Sequence, residues 1–158
     1  MEKSLSDTDI KVFIPNVVLY EQLKGLTPKQ LIAKMPCAIL YQETPNRGHW
    51  TLLHQTPEGI EFFDPYGIII DQEFKELKWK QPHYLAKKLY KLSKYHQINY
   101  NQYKFQAREK GINTCGRWTI LRQLFSNMPI DIFGNMIVKA CNTLDCSPDE
   151  LAVMAFNS

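Results

Sequence analysis

The chain has 158 residues, 44% hydrophobic and 22% charged, with a formal charge of +3. That length holds one substantial core and not two ordinary domains, and the composition excludes a disordered chain. No run approaches the ~20 apolar residues of a membrane span, and Met1-Glu2-Lys3-Ser4 lacks the apolar core of a signal peptide, which predicts a single domain over residues 1–158, a monomer with no membrane partner, in a reducing compartment and not secreted.

Residues 1 to about 9 are polar and read as a frayed end. Thr27-Pro28 caps a short helix through about Lys34, with Pro at its first position, and Pro36 stops it ahead of a strand from Cys37 to Gln42. Thr44-Pro45-Asn46-Arg47-Gly48 reads as a flexible loop that could gate a cleft. His49 to Gln55 is a short apolar run, Thr56-Pro57-Glu58-Gly59 a turn, and Ile60 to Phe63 a second apolar run that ends at Asp64-Pro65-Tyr66-Gly67. Together they form a hairpin signature. Pro82 to Tyr95 fits a helix with Leu85, Leu89 and Leu92 inward and Lys87, Lys88, Lys91 and Lys94 outward, and His96 to Tyr100 fits a strand.

A polar stretch, Ala107 to Thr114, precedes a helix that opens at Cys115. Asn113 or Thr114 is its N-cap, and Trp118, Leu121, Leu124 and Phe125 form its buried stripe. Pro129 starts another helix reaching about Asn142, and Ser147-Pro148-Asp149-Glu150 is a capping box for the last one, through Phe156. Strands in the middle with helices around them predict an α+β fold: a mostly antiparallel central sheet flanked by helices, with the cysteine helix packed on it.

Three separated segments carry the chemistry: Gly48-His49-Trp50, Phe63-Asp64-Pro65-Tyr66-Gly67, and Asn113-Thr114-Cys115-Gly116-Arg117-Trp118. A cysteine nucleophile needs a base to make it a thiolate and a third group to orient that base. In an antiparallel hairpin the start of the first strand lies near the end of the second, so His49 and Asp64 are expected to touch. Asp64 then holds one imidazole nitrogen and leaves the other for Cys115. At the start of a helix the free N–H groups favour an anion, and hence a thiolate. Gly116 is expected to leave room for a substrate backbone.

The other cysteines, Cys37, Cys141 and Cys146, have no matched Cys or His spacing for zinc and read as core or surface thiols. His54, His83 and His96 are expected to be dispensable for turnover. Lys75, Lys78, Lys80, Lys87, Lys88, Lys91 and Lys94, interspersed with Trp79, Tyr84, Tyr90 and Tyr95, fit either a solvated helix face or a nucleic-acid footprint.

From about Cys37 to Phe125 the order Gly-His-Trp, strand, turn, Phe-Phe-Asp-Pro-Tyr-Gly, Gln, Thr-Cys-Gly resembles the adenovirus-type maturation proteases (adenain) and the related ubiquitin-like-protein proteases. The resemblance implies a cysteine protease domain with His49 as general base, Asp64 as orienting acid and Cys115 as nucleophile. Gly48, Trp50 and Gly116 would line the substrate cleft. It also implies a Gln whose side-chain N–H joins the Cys115 N–H in an oxyanion hole. Gln106 is the best match and Gln102 the fallback, although nine positions separate Gln106 from Cys115 where the relatives have six or seven. The implied function is cleavage of capsid or other structural precursors beside Gly during virion maturation, in the virion and infected cell, with DNA or a peptide as activator and no cofactor for the chemistry. A ubiquitin-type isopeptidase is the alternative.

Overall fold

The computed structural model describes residues 5–44, 47–67, 70–71, 83–107 and 114–156. Its centre is built by β2 (Cys37–Thr44), β3 (Arg47–Thr56) and β4 (Gly59–Phe63). These strands are apolar on both faces. Ala38, Trp50, Leu52 and Phe63 are buried on one side, and Cys37, Ile39, Tyr41, Leu53 and Phe62 on the other. A strand apolar on both faces must be covered twice, and two cores result.

The first core joins the sheet to α1 (Asp7–Lys11), α4 (Cys115–Leu124), α5 (Ile130–Leu144) and α6 (Pro148–Ala155) through Ile10, Trp118, Phe133, Ile137 and Ala152. The second joins it to a 3-10 turn (Tyr20–Gly25), α2 (Pro28–Ala33) and α3 (Tyr84–Leu92) through Tyr20, Leu23, Leu31, Leu85 and Leu89. Each fully buried Leu or Phe contributes about 1.5–3 kcal/mol by leaving water.

The fold is α+β with helices flanking a five-stranded sheet of order β1-β2-β3-β4-β5, where β1 is Asn16–Leu19 and β5 is Ile98–Tyr100. The sheet is mixed, which corrects the expectation of a mostly antiparallel one. The inner pairs β2–β3 and β3–β4 are antiparallel, but β1 runs parallel to β2 and β5 parallel to β4. A parallel neighbour needs a crossover, and the helices α2 and α3 lie in those two connections.

The N-terminal segment is not frayed from Leu5 onward. Ser6 Oγ accepts the Asp9 N–H (3.2 Å) and the Asp9 carboxylate accepts the Ser6 N–H (2.8 Å), a capping box that starts α1 and sends Ile10 into the core. The expected loop before His49 is a hairpin instead, with Thr44 paired to Arg47; Pro45 and Asn46 lie outside the described residues. So do Pro82, Asn113 and the lysines at 75, 78 and 80.

α3 buries Leu85, Leu89 and Leu92 as expected, and its first turn is held by Asp71, which accepts the Ala86 N–H at 2.8 Å. α4 departs from its expected stripe. Leu124 is exposed, whereas every residue from Cys115 to Arg122 is buried, because α4 is enclosed between β3 and α6.

Candidate active site

The β3–β4 register, in which Leu52 faces Phe63, brings the start of β3 to the end of β4. His49 Nε2 lies 2.7 Å from Asp64 Oδ1, with the imidazole buried and the carboxylate fully so. Asp64 is fixed at its backbone by Asn101, whose Oδ1 accepts the Asp64 N–H (2.8 Å) and whose Nδ2 donates to the Asp64 carbonyl (2.7 Å). Its Oδ1 also accepts the Tyr66 N–H (2.8 Å), and the Gly67 N–H donates to its carbonyl (2.8 Å), closing the Asp-Pro-Tyr-Gly turn. Gly67 is required there. Its φ is +72°, and a Cβ would stand 2.6 Å from the Tyr103 carbonyl oxygen. The Tyr66 ring stacks on the imidazole with centroids 4.4 Å apart and planes at 12°.

Cys115 is the first residue of α4 and is buried, 7% exposed. The backbone N–H of Trp50 donates to Sγ at 3.4 Å, and the thiol is near enough to the His49 ring to favour its charged form. With Nε2 on Asp64, Nδ1 is the nitrogen left for the sulfur. Burial pushes the His49 pKa down, but the charge and hydrogen bond of Asp64, with smaller contributions from Cys115, outweigh it and hold the ring well above the usual histidine range. An imidazolium stacked on an aromatic face and facing a sulfur is the state such an arrangement favours.

Gln106 is buried, and its N–H and that of Phe105 both donate to the Pro65 carbonyl (2.9 and 2.8 Å), which ties it to the turn that carries Asp64. Gln102 is exposed and lines an open groove with Tyr100, Tyr103, Ile130 and Asp131.

Two of the expected cleft residues meet the N-terminal segment. Trp50 is 4% exposed, and its indole N–H donates to the Leu5 carbonyl at 3.0 Å, so it packs under the N-terminal segment rather than lining an open cleft. At Gly116 a Cβ would meet Leu5 Cβ at 3.0 Å and Ile10 and Trp50 side-chain carbons at 3.3 Å. That glycine admits the chain's own N-terminal segment. Gly48 is exposed and paired with Gln42 across the sheet.

Residue-by-residue reading missed Tyr66, Asn101 and Asp149. Tyr66 was visible inside the Asp-Pro-Tyr-Gly turn, while Asn101 and Asp149 reach the site only through tertiary contacts. Thr114 stands at the N-cap position of α4, but its hydroxyl donates to Asp149 rather than capping its own helix. Cys37, Cys141 and Cys146 are free thiols, and burial pushes Cys37 up to about 12, against a small opposing effect of Lys34. Among the described residues no three His, Cys, Asp or Glu side chains converge as a metal site, and no helix is long and apolar enough to cross a membrane.

No family model matches the chain, and no solved structure does. Over 151 residues it is 33% identical to "Uncharacterized protein V9" of Sputnik virophage, a match covering 90% of this chain and 83% of that protein. At that identity and coverage, the chain belongs to the family of this virophage protein.

Proposed function

We propose that this chain is an adenain-like cysteine endopeptidase that processes viral structural precursors. The observation that carries the reading is the His49 ring bonded to the buried Asp64 carboxylate, with Cys115, first residue of a helix, held on the N–H of the next residue, Trp50. A viral relative supports the setting, a virion or infected cell, and the sequence resemblance supports the adenain-like type and a Gly beside the scissile bond.

In this reading His49 Nδ1 takes the Cys115 proton, and the Trp50 N–H and the start of α4 favour the resulting thiolate. The sulfur attacks the scissile carbonyl, and the oxyanion is received by the Cys115 N–H and the Gln106 side-chain amide. Collapse expels the amine with the proton returned from His49 and leaves a thioester on Cys115. A water deprotonated by His49 then attacks the thioester, releasing the acid and restoring the thiol. Asp64 keeps Nε2–H oriented throughout and stabilises the ring while it is charged.

Incubation with a virophage capsid precursor, a ubiquitin chain and a SUMO fusion, each alongside Cys115→Ala, tests the proposal. Cleavage of the precursor beside Gly, lost in Cys115→Ala, is expected. Cleavage of the ubiquitin chain or SUMO fusion alone would move the assignment to an isopeptidase, and full activity in Cys115→Ala would end it. Activation by DNA belongs to the same proposal. α3 and the turn after it expose Lys87, Lys91, Lys94, Tyr90 and Tyr95, and duplex binding through such a face should weaken steeply with salt. An affinity indifferent to salt would remove DNA from it.

A further inference from the structure

The capping box that starts α6 contains a carboxylate that its own helix does not use. Ser147 and Glu150 satisfy each other's backbone N–H groups (both 3.2 Å), and Pro148 takes the first helical position. Asp149, at the second, instead faces the chain on either side of the proposed oxyanion hole. Its Oδ2 accepts the N–H of Ala107 (3.0 Å), and its Oδ1 accepts the Thr114 hydroxyl and the Trp118 indole N–H (3.4 Å). Ala107 directly follows Gln106, and Thr114 directly precedes Cys115.

We propose that Asp149 is a positioning residue that sets the oxyanion hole by clasping the chain at Ala107 and Thr114, a role that rests on the proteolytic reading of Cys115. The two donors expected to meet the oxyanion, the Gln106 amide and the Cys115 N–H, sit on strands of chain that this one carboxylate joins. Hydrogen bonds to an ionised acceptor are about twice as strong as neutral ones, so a single carboxylate can hold both ends. The Pro65 carbonyl holds Gln106 from the other side through its backbone N–H. With both ends fixed, the donor separation no longer depends on how many residues lie between. That accounts for a Gln-to-Cys spacing of nine where the resembling proteases have six or seven.

The test uses the full chain and the variants Asp149→Ala and Asp149→Asn. Three readouts are compared: amide hydrogen exchange at Ala107, alkylation of Cys115 by iodoacetamide, and acylation by a Gly-Gly-aminomethylcoumarin peptide. Asp149→Ala should speed exchange at Ala107 at least tenfold and lower the acylation kcat about 10- to 100-fold with KM nearly unchanged, since misplaced donors act on the transition state. Alkylation needs the thiolate but no oxyanion hole, and should stay within about twofold. Asp149→Asn keeps one acceptor oxygen and should fall between. Unchanged exchange at Ala107 would overturn the clasp, and acylation and alkylation falling together, or neither falling, would overturn the positioning role. If the wild-type chain neither alkylates at Cys115 in preference to its other thiols nor acylates, the proteolytic reading itself fails, whatever exchange reports.

Discussion

β3 carries two histidines five positions apart, and each is buried against a carboxylate from β4 or its end: His49 on Asp64 at 2.7 Å and His54 on Glu61 at 2.6 Å. The pairs differ in what the second ring nitrogen meets. His54 Nδ1 lies 3.0 Å from Gln123 Oε1, and Glu61 is held further by Arg122 through Nε (2.8 Å) and Nη2 (3.1 Å). Arg122 itself donates to the Phe125 carbonyl (3.0 Å) and lies over the Phe133 ring. That cluster is closed. His49 instead has a thiol beside it, that of Cys115, which adds to the ring's preference for the charged form. A buried His–carboxylate pair is therefore no mark of reactivity by itself; what sets the His49 pair apart, in the proposed function, is the thiol beside the ring. His54 is thus tied into the core by a buried cluster, whereas His83 and His96 are exposed.

The strongest way to separate the two pairs is at Asp64. Asp64→Asn should lower turnover by about 10²- to 10⁴-fold, because the imidazole loses both its orientation and its compensating charge. It should also move the rising limb of Cys115 alkylation to higher pH, because a less stable imidazolium favours the thiolate less. Burial already pushes the His49 ring toward neutrality, and the carboxylate is what outweighs it. In the native protein a raised folded pKa means that the stability from charged His49 is fully present below about 6.5 and is lost as pH rises through the higher folded value. Denaturant unfolding at a series of pH values would show that loss, and a limb unmoved in Asp64→Asn would break the assignment of Asp64 as the group that holds the ring.

The opposite signature is expected at the closed pair. Arg122→Met removes one partner of a buried ion pair and should cost about 3–5 kcal/mol in denaturant unfolding, with kcat of the folded protein nearly unchanged. Burial raises the Glu61 pKa, but the hydrogen bonds and charges of His54 and Arg122 outweigh it and hold the carboxyl below its usual range. Its contribution to stability is thus complete above about 4.3 and lost as pH falls through the lower folded value. In Arg122→Met acid unfolding should begin at higher pH. A fall in kcat matching that of Asp64→Asn would mean that the two clusters act as one.

Much of this contrast was legible along the chain, and the part that was not has a common cause. The hairpin, the start of α4 at Cys115 and the inward leucines of α3 follow from local turn chemistry and periodicity, which act over a few residues. The parallel pairing of β1 with β2 and of β5 with β4 has no local signal, because the partners are joined through crossovers. Trp50 and Gly116 read as cleft residues because nothing near them in sequence reveals that Leu5 and Ile10 pack there. His54 looked incidental because its closing partners, Gln123 and Arg122, come from a helix more than sixty positions away. The N-terminal capping box was legible in principle, since Ser6 and Asp9 carry it, but the polarity of the stretch concealed it.

The finest distinction between the pairs lies in the Tyr66 ring, stacked on His49. An aromatic face attracts a cation more than a neutral ring, by roughly 0.5–1 kcal/mol at partly exposed sites, so the stack should favour the imidazolium. Tyr66→Leu should therefore lower kcat by about two- to fivefold and shift the His49 titration slightly downward, in the same direction as Asp64→Asn but far less. Tyr66→Phe keeps the ring and should leave both near normal. The pH profile of Cys115 alkylation in the two variants separates stacking from shape. If Leu and Phe behave alike, the tyrosine only fills space, and the imidazolium depends on Asp64 and Cys115 without the ring stack.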